Sequence, residues 1–189
     1  MKKISVRDIC YVAIFAAILS VLSILQIPTP SGVPFTLQTF AVALCGFVLL
    51  QKFGAAAAFI YVLLGLVGVP VYAGFSAGPG VLFGTSGGYL WGFILMAFFC
   101  GLGMKFGEKM HNVAGHVVAL LLGVVGLACC HILGIIQLKF VLSCTWAEAA
   151  LWGSIPFLLK DFLSVIGAYV IALVLRKALK AAHLLSDEA

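Results

Sequence analysis

Charge is what this 189-residue sequence has least of: eleven Lys and Arg and six Asp and Glu make up 9% of it, while 64% is apolar. An ordinary soluble domain is roughly a quarter charged, and water cannot be the solvent for so apolar a surface. Catalytic signatures are missing as well. The chain has no G-x-x-x-x-G-K-[ST] phosphate loop and no H-E-x-x-H helix, so it carries neither the nucleotide cradle of an ATPase nor that zinc-ligand pair. The cysteines (Cys10, Cys45, Cys100, Cys129, Cys130, Cys144) show no C-x-x-C spacing, which argues against a zinc site or a secreted disulfide framework. They fall mostly inside apolar runs and read as small packing residues. The net charge of +5 is no nucleic-acid signal, because the basic residues cluster at the ends of apolar runs, where they set topology. A soluble enzyme and a self-powered nucleotide motor are excluded, and no cofactor or metal is expected.

What is present is a series of apolar runs at residues 9–25, 35–50, 55–69, 87–104, 117–136 and 157–175. These reach or approach the ~20 residues that cross a hydrocarbon core at about 1.5 Å per residue. The expected fold is all-α, a single integral membrane domain over residues 1–189 with six transmembrane helices. The second and third runs are short, which predicts tilted or broken helices. Lys2, Lys3 and Arg7 before the first run also fit the start of a signal peptide. Five further apolar runs favour a retained helix. Six crossings collect Lys2, Lys3, Arg7, Lys52, Lys105, Lys109, Arg176, Lys177 and Lys180 on one side and leave Lys139 on the other, which makes both termini cytoplasmic.

The two faces differ in their connections. On the inside, Gln51-Lys52-Phe53-Gly54 reads as a tight turn, and the segment from Gly107 to His116 is short and polar. On the outside lie two longer stretches rich in Pro and Gly: Pro28-Thr29-Pro30-Ser31-Gly32-Val33-Pro34, and Pro70 through Gly80. Neither suits a regular helix. A segment that is irregular yet apolar suits neither water nor lipid, so it is expected to fold over a protein cavity, placing the binding site on the outer side. Thr145-Trp146-Ala147-Glu148 is a capping-box pattern that starts a short helix ahead of Pro156, most simply an interfacial one anchored by Trp146 and Trp152.

Lys160 and Asp161 fall near the outer end of the sixth run, and no other acidic residue lies inside a predicted span. A charge in a span costs roughly 2.5–3.5 kcal/mol on insertion scales, so it faces a cavity, a partner or another charge. An ammonium beside a carboxylate suits a small metabolite with hydrogen-bond donors and an anionic group. Ser164, one turn below Lys160, extends that polar stripe. The simpler alternative has Lys160 snorkelling and Asp161 capping the helix. Gly84, Gly88 and Gly92 open the fourth span at spacings that allow close helix packing, with backbone N–H groups at the helix start also available to a ligand. Ala13 and Ala17 form a small-x-x-x-small pair, read either as ordinary packing or as a docking face. His131 and Gln137 read as residues hydrogen-bonded within the bundle.

At these residues the sequence resembles the BioY family, the biotin-specific substrate-binding (S) components of energy-coupling factor (ECF) transporters. Pro34-Phe35-Thr36-Leu37-Gln38 is similar to that family's P-(I/F)-T-L-Q stretch, and Gly68-Val69-Pro70-Val71-Tyr72-Ala73-Gly74-Phe75-Ser76 to its G-x-P-V-F-A-G-x-S. Gly84-Thr85-Ser86-Gly87-Gly88-Tyr89-Leu90 resembles G-P-T-G-G-Y-L, and Pro156-Phe157 followed by Asp161 resembles P-F-x-x-x-D. Two departures stand out: Thr85 replaces the family's proline, and the lysine of its D-x-x-K pattern is Ser164 here, with a lysine at 160 instead.

The resemblance implies a six-helix S component in the bacterial cell membrane. Its ligand would be biotin, and its partners a transmembrane coupling (T) protein and two cytoplasmic ATPase subunits that hydrolyse the ATP. It makes Ala13 and Ala17 the docking motif. The expected ligand contacts are Phe35, Gln38, Phe75, Ser76, Gly84, Tyr89, Lys160, Asp161 and Ser164, with Phe35, Phe75 and Tyr89 packing the apolar body, Asp161 accepting from the ureido N–H groups and Lys160 pairing the carboxylate. The rivals are an ion-coupled secondary carrier for a small anionic vitamin-like metabolite, with Asp161 as coupling carboxylate, and a membrane-embedded enzyme, which would need Asp161, His131 and Cys130 to converge.

Overall fold

The computed structural model describes residues 5–29, 33–110 and 112–184; Lys2, Lys3 and the Pro30-Ser31-Gly32 part of the first outer loop lie outside them. The chain is helical almost throughout. Helix α1 (Val6–Ile24) starts from a Ser5–Asp8 capping box, which satisfies two of the backbone donors a helix start leaves unpaired. A short ribbon, β1 (Gln26–Ile27) against β2 (Phe35–Thr36), follows and leads into α2 (Gln38–Leu66). After a 3₁₀ turn (Ala73–Phe75) come α3 (Pro79–Leu82), α4 (Gly87–Met110), α5 (Val113–Leu142), α6 (Trp146–Gly153) and α7 (Ile155–Ala181). Among the described residues, α1, α2, α4, α5 and α7 are long and apolar enough to cross a membrane.

Helix α2 is not straight. Residues 38 and 61 would stand about 35 Å apart along a continuous helix, yet Gln38 Nε2 donates to the Tyr61 hydroxyl at 2.7 Å. The reversal is at Leu50 (φ 64°, ψ 177°), a backbone region rarely open to side-chain-bearing residues. Residues 38–49 and 51–66 therefore form a helical hairpin. Two glycines let its limbs touch: a methyl group on Gly54 would sit 2.7 Å from the Cα of Gly46. The turn expected at Gln51–Gly54 is thus already helix, and the chain reverses one residue earlier.

Several helices outrun the predicted spans. Apolar runs stop at the first charge, whereas α4 continues through Lys105 and Glu108, and α7 through Arg176 and Lys180, because these ends are paired to one another. Arg176, expected in a loop, is only 2% exposed. It donates to both Glu108 oxygens at 2.9 and 2.8 Å and to the Val48 carbonyl, while Lys180 lies 3.3 Å from Glu108. Glu108 is therefore a further acidic residue within a crossing helix, besides Asp161 and the capping Asp8. The Leu50 reversal, Asn112 at the start of α5 and the segments at Ser5 and Leu184 share this end of the bundle; Tyr11 donates to the Leu184 carbonyl at 2.8 Å. The β1–β2 ribbon, the connection between α2 and α4, and α6 crowd the other end.

Helices α4 and α5 pack with backbones nearly in contact, a methyl on Gly92 falling 2.6 Å from the Cα of Cys130. This is the close approach small residues permit in lipid, where van der Waals packing drives helix association. The glycine spacing at 84, 88 and 92 was thus informative, although α4 begins at Gly87 and Gly84 stays in the loop.

Candidate functional site

The ends of these helices opposite the Arg176–Glu108 cluster enclose a cavity of about 440 Å³. Its roof comes from the first outer loop (Pro28, Thr29, Val33, Pro34) and the third (Ala73, Ser76, Gly80), and its deeper wall from Leu90, Phe93, Leu127, Cys130 and Phe157. The site therefore lies on the side where irregular apolar loops were expected to close over a cavity. The lining mixes apolar side chains with converging hydroxyl, amide and charged groups, among them Gln38, Thr39, Ser86, Lys160 and Asp161, polar groups of the kind that fix a ligand's orientation in a small-molecule pocket.

Asp161 supplies the charge. It sits on the buried stripe of α7, which runs Phe157, Asp161, Val165, Ala168, Ala172 at helical period, and is 5% exposed. Its Oδ1 is 2.5 Å from Lys160 Nζ and its Oδ2 is 3.3 Å from His131 Nε2. Among the described residues it is the only acidic group on the cavity wall. Lys160 also donates to the Thr36 carbonyl at 2.9 Å and lies 5.7 Å from the Phe35 ring centre. The ammonium thus ties α7 to β2, the strand that closes the first loop. Neither the snorkelling nor the capping alternative describes this pair.

His131, read from sequence as a bundle histidine, is both that and a member of the site. Its Nδ1 is 2.8 Å from Ser154 Oγ, and its ring packs edge-on to Tyr89, centroids 6.0 Å apart. The order Ser154–His131–Asp161 is that of a catalytic triad, but Ser154 does not line the cavity. Cys130, His131 and Asp161 do converge on it. Cys130 Sγ, however, donates to the Tyr89 carbonyl at 3.6 Å and has no bond to the imidazole. No G-x-S-x-G elbow was expected, yet Gly74-Phe75-Ser76-Ala77-Gly78 spells that pattern. It lies at a 3₁₀ turn and not between strand and helix, and Ser76 Oγ donates to the Ala73 carbonyl at 2.8 Å, so the context of a nucleophile elbow is absent.

Of the expected contacts, Gln38, Ser76, Gly84, Tyr89, Lys160 and Asp161 line the cavity. Gln38 accepts from Thr36 Oγ1 at 2.8 Å while donating to Tyr61. The Tyr89 hydroxyl donates to the Gly153 carbonyl at 2.6 Å, bracing α4 against α6. Gln137 behaves as a bundle residue, its amide donating to the Leu82 and Gly84 carbonyls at 2.9 and 2.8 Å. The N–H groups of Gly87, Tyr89 and Leu90 are already bonded to the Gly84 and Ser86 carbonyls, so those donors at the start of α4 are not open to a ligand.

Three expected contacts are elsewhere. Phe75 is 67% exposed, because consecutive positive φ angles at Gly74 and Phe75 turn its side chain out of the wall. Phe35 backs the wall and does not form it, its ring 4.4 Å from Phe157. Ser164 is half-buried off the Phe157–Asp161–Val165 stripe and lines no part of the cavity. Tyr72 was missed. It closes the roof with its hydroxyl donating to the Val62 carbonyl at 2.6 Å, and burial pushes its phenol up to about 12. Only its place beside Ala73 and Ser76 in the third loop could have pointed to it.

Comparison with known proteins agrees with this geometry along nearly the whole chain. The "Biotin transporter BioY" of Thermotoga maritima is 40% identical over 171 residues, covering 90% of this chain and 96% of that one. "Biotin transporter BioY2" of Lactococcus lactis subsp. cremoris is 33% identical over 180 residues, 95% of each. The crystal structure of the S-component for biotin from an ECF-type ABC transporter superposes with a TM-score of 0.79 at 27% identity, covering 91% of this chain and 92% of that one. With the BioY family model matching residues 1–181, the chain belongs to the BioY family.

Proposed function

We propose that this chain captures biotin from outside the cell as the S component of an ECF-type transporter, its single membrane domain crossing six times with both termini cytoplasmic. The observation that carries the reading is the buried acceptor Asp161, the only acidic group on the cavity wall among the described residues, within a chain matched over nearly its whole length by biotin transporters. Each limb of α2 counts as one crossing. Arg7, Lys52, Lys105, Lys109, Lys177 and Lys180 then share one face and Lys139 the other, as the positive-inside rule asks. The chain is a transporter subunit and not an enzyme. ATP is hydrolysed by two partner ATPases reached through a T protein, and Ala13 and Ala17, both exposed on α1, form the docking face.

Within the cavity, Asp161 accepts from a ureido N–H while the thioether ring and aliphatic chain lie against Leu90, Phe93, Leu127 and Phe157. Lys160 takes a different role from the one expected of it. Two groups 2.5 Å apart cannot hold opposite ends of one extended molecule, so Lys160 orients Asp161, and the ligand carboxylate points toward the hydroxyl-bearing wall at Ser76, Thr85 and Ser86. An ion-coupled carrier is not favoured, because an ammonium and an imidazole already hold the carboxylate it would need to load and unload.

The test is equilibrium binding of labelled biotin to the purified chain in detergent, beside a panel of other vitamins. Asp161→Asn removes a charge-assisted acceptor worth about 1.5–3 kcal/mol, so affinity falls roughly ten- to a hundredfold. Unchanged affinity would remove Asp161 from the site. Binding of another vitamin in place of biotin would keep the architecture and overturn the substrate.

A further inference from the structure

Asp161 is held from two sides, and only one of the holders sits beside it in sequence. Lys160 takes Oδ1; His131, thirty residues earlier on α5, takes Oδ2 at 3.3 Å. The imidazole is 6% exposed and constrained on three fronts: by Asp161, by Ser154 Oγ at 2.8 Å, and by the Tyr89 ring packed at 87° to it. A carboxylate can only accept, so Nε2 carries the proton. In a neutral ring Nδ1 must then accept, and the Ser154 hydroxyl is its donor. Ser154 thereby sets the tautomer and His131 sets the carboxylate, the arrangement in which a remote group orients the one that does the work.

We propose that His131 is a positioning residue for ligand recognition, fixing the Asp161 carboxylate so that its remaining lone pairs meet an N–H donor of the ligand. The inference rests on the biotin reading above. It makes discrimination depend on a residue that need not touch the ligand. With Lys160 Nζ and His131 Nε2 both paired to it, the Asp161 carboxylate offers acceptors alone, and a ureido ring methylated on nitrogen finds no complement. A site built around such a hydrogen bond rejects analogues that lack the donor far more strongly than an apolar pocket rejects a methylene.

Two isosteric substitutions separate positioning from packing. In His131→Gln the amide nitrogen falls near the place of Nε2 and keeps a donor to Asp161. In His131→Asn it falls near Nδ1, keeps the Ser154 side and abandons Asp161. Biotin binding in detergent is expected within about threefold of the parent for H131Q and about tenfold or more weaker for H131N, the cost of losing one hydrogen bond to a charged group. In an Asp161→Asn background H131N should add less than about threefold, because the group it acts through has already changed.

The proposal is overturned if H131N binds like the parent, if H131Q and H131N are equally weak, or if H131N costs as much with Asn at position 161 as with Asp. Should H131N not yield folded protein, Ser154→Ala carries the test. Loss of its hydroxyl frees the tautomer and should weaken biotin binding by at least about threefold, and an unchanged affinity overturns the proposal. A parent chain that binds no biotin at all would instead refute the underlying reading, and the proposal with it.

Discussion

The buried arginine at the end of the bundle away from the cavity permits a prediction independent of any ligand. Arg176→Met keeps much of the stem volume and deletes the guanidinium that joins α7 to Glu108 on α4 and to the Val48 carbonyl, two residues before the Leu50 reversal. Breaking a buried ion pair from one side costs about 3–5 kcal/mol. The upper end does not apply, because the Glu108 side chain is 31% exposed and keeps Lys180 at 3.3 Å. Stranding the Val48 carbonyl adds about 1–3 kcal/mol. The combined loss of about 4–6 kcal/mol corresponds to a fall in Tm of about 8–24 °C, on the soluble-protein scale for a chain of this length. The assay follows from the cysteines. Cys45 and Cys100 are fully buried, so a thiol-reactive fluorophore in a detergent melt reports unfolding above the baseline set by exposed Cys10. Combining Glu108→Gln with R176M should recover part of the loss by removing the stranded carboxylate. A Tm for R176M within about 2 °C of the parent would refute the reasoning, since the cluster would then be worth no more than a solvated surface pair.

Leu50→Ala should lose about 2–5 kcal/mol for the emptied site, whereas Leu50→Gly also sheds backbone strain of about 1–3 kcal/mol; Gly should therefore melt above Ala, the reverse of their order in a helix, and the usual order would refute a reversal at residue 50. Tyr72 has its folded pKa near 12, above the ordinary value of about 10, so its contribution to stability is intact below about pH 10 and is lost as the pH rises through 12. Tyrosinate absorbance of the parent minus that of Tyr72→Phe should show a midpoint near 12, and a midpoint near 10 would show the phenol solvated. Ala17→Trp, on the exposed face of α1, should keep biotin binding and lose co-purification with the T protein and ATPases; intact co-purification sinks the docking assignment.

The apolar runs were legible because hydropathy over some twenty residues reports the solvent a helix meets. Their ends were not, because a run stops at its first charge while a helix stops only when its backbone loses partners. Lys105, Glu108 and Arg176 lie inside helices for that reason. The Leu50 hairpin was half-visible: two short runs separated by Gln51-Lys52-Phe53-Gly54 predicted a turn, but nothing in Leu50 itself marks a positive φ, which Gly or Asn would have announced. Phe75 failed for the matching reason. A motif places it in the wall, and two successive left-handed residues rotate it out.

The site divides along the same line. Asp161 could be singled out because a carboxylate in a span is costly wherever it points. His131 could not, because helical periodicity says which face of α5 it occupies and not which helix that face meets. The cost of Asp161 nevertheless implied a donor, and position 160 was an incomplete answer, since a carboxylate has two oxygens and Lys160 reaches one. Few side chains in the predicted spans can donate at that depth. Of His131 and Gln137 on α5, Gln137 stands nearly two turns closer to the outer end, where the loop carbonyls of Leu82 and Gly84 take its amide. His131 is left level with Asp161. Counting the unmet hydrogen-bonding capacity of a buried charge before assigning roles would have moved that histidine from the packing of the bundle into the binding site.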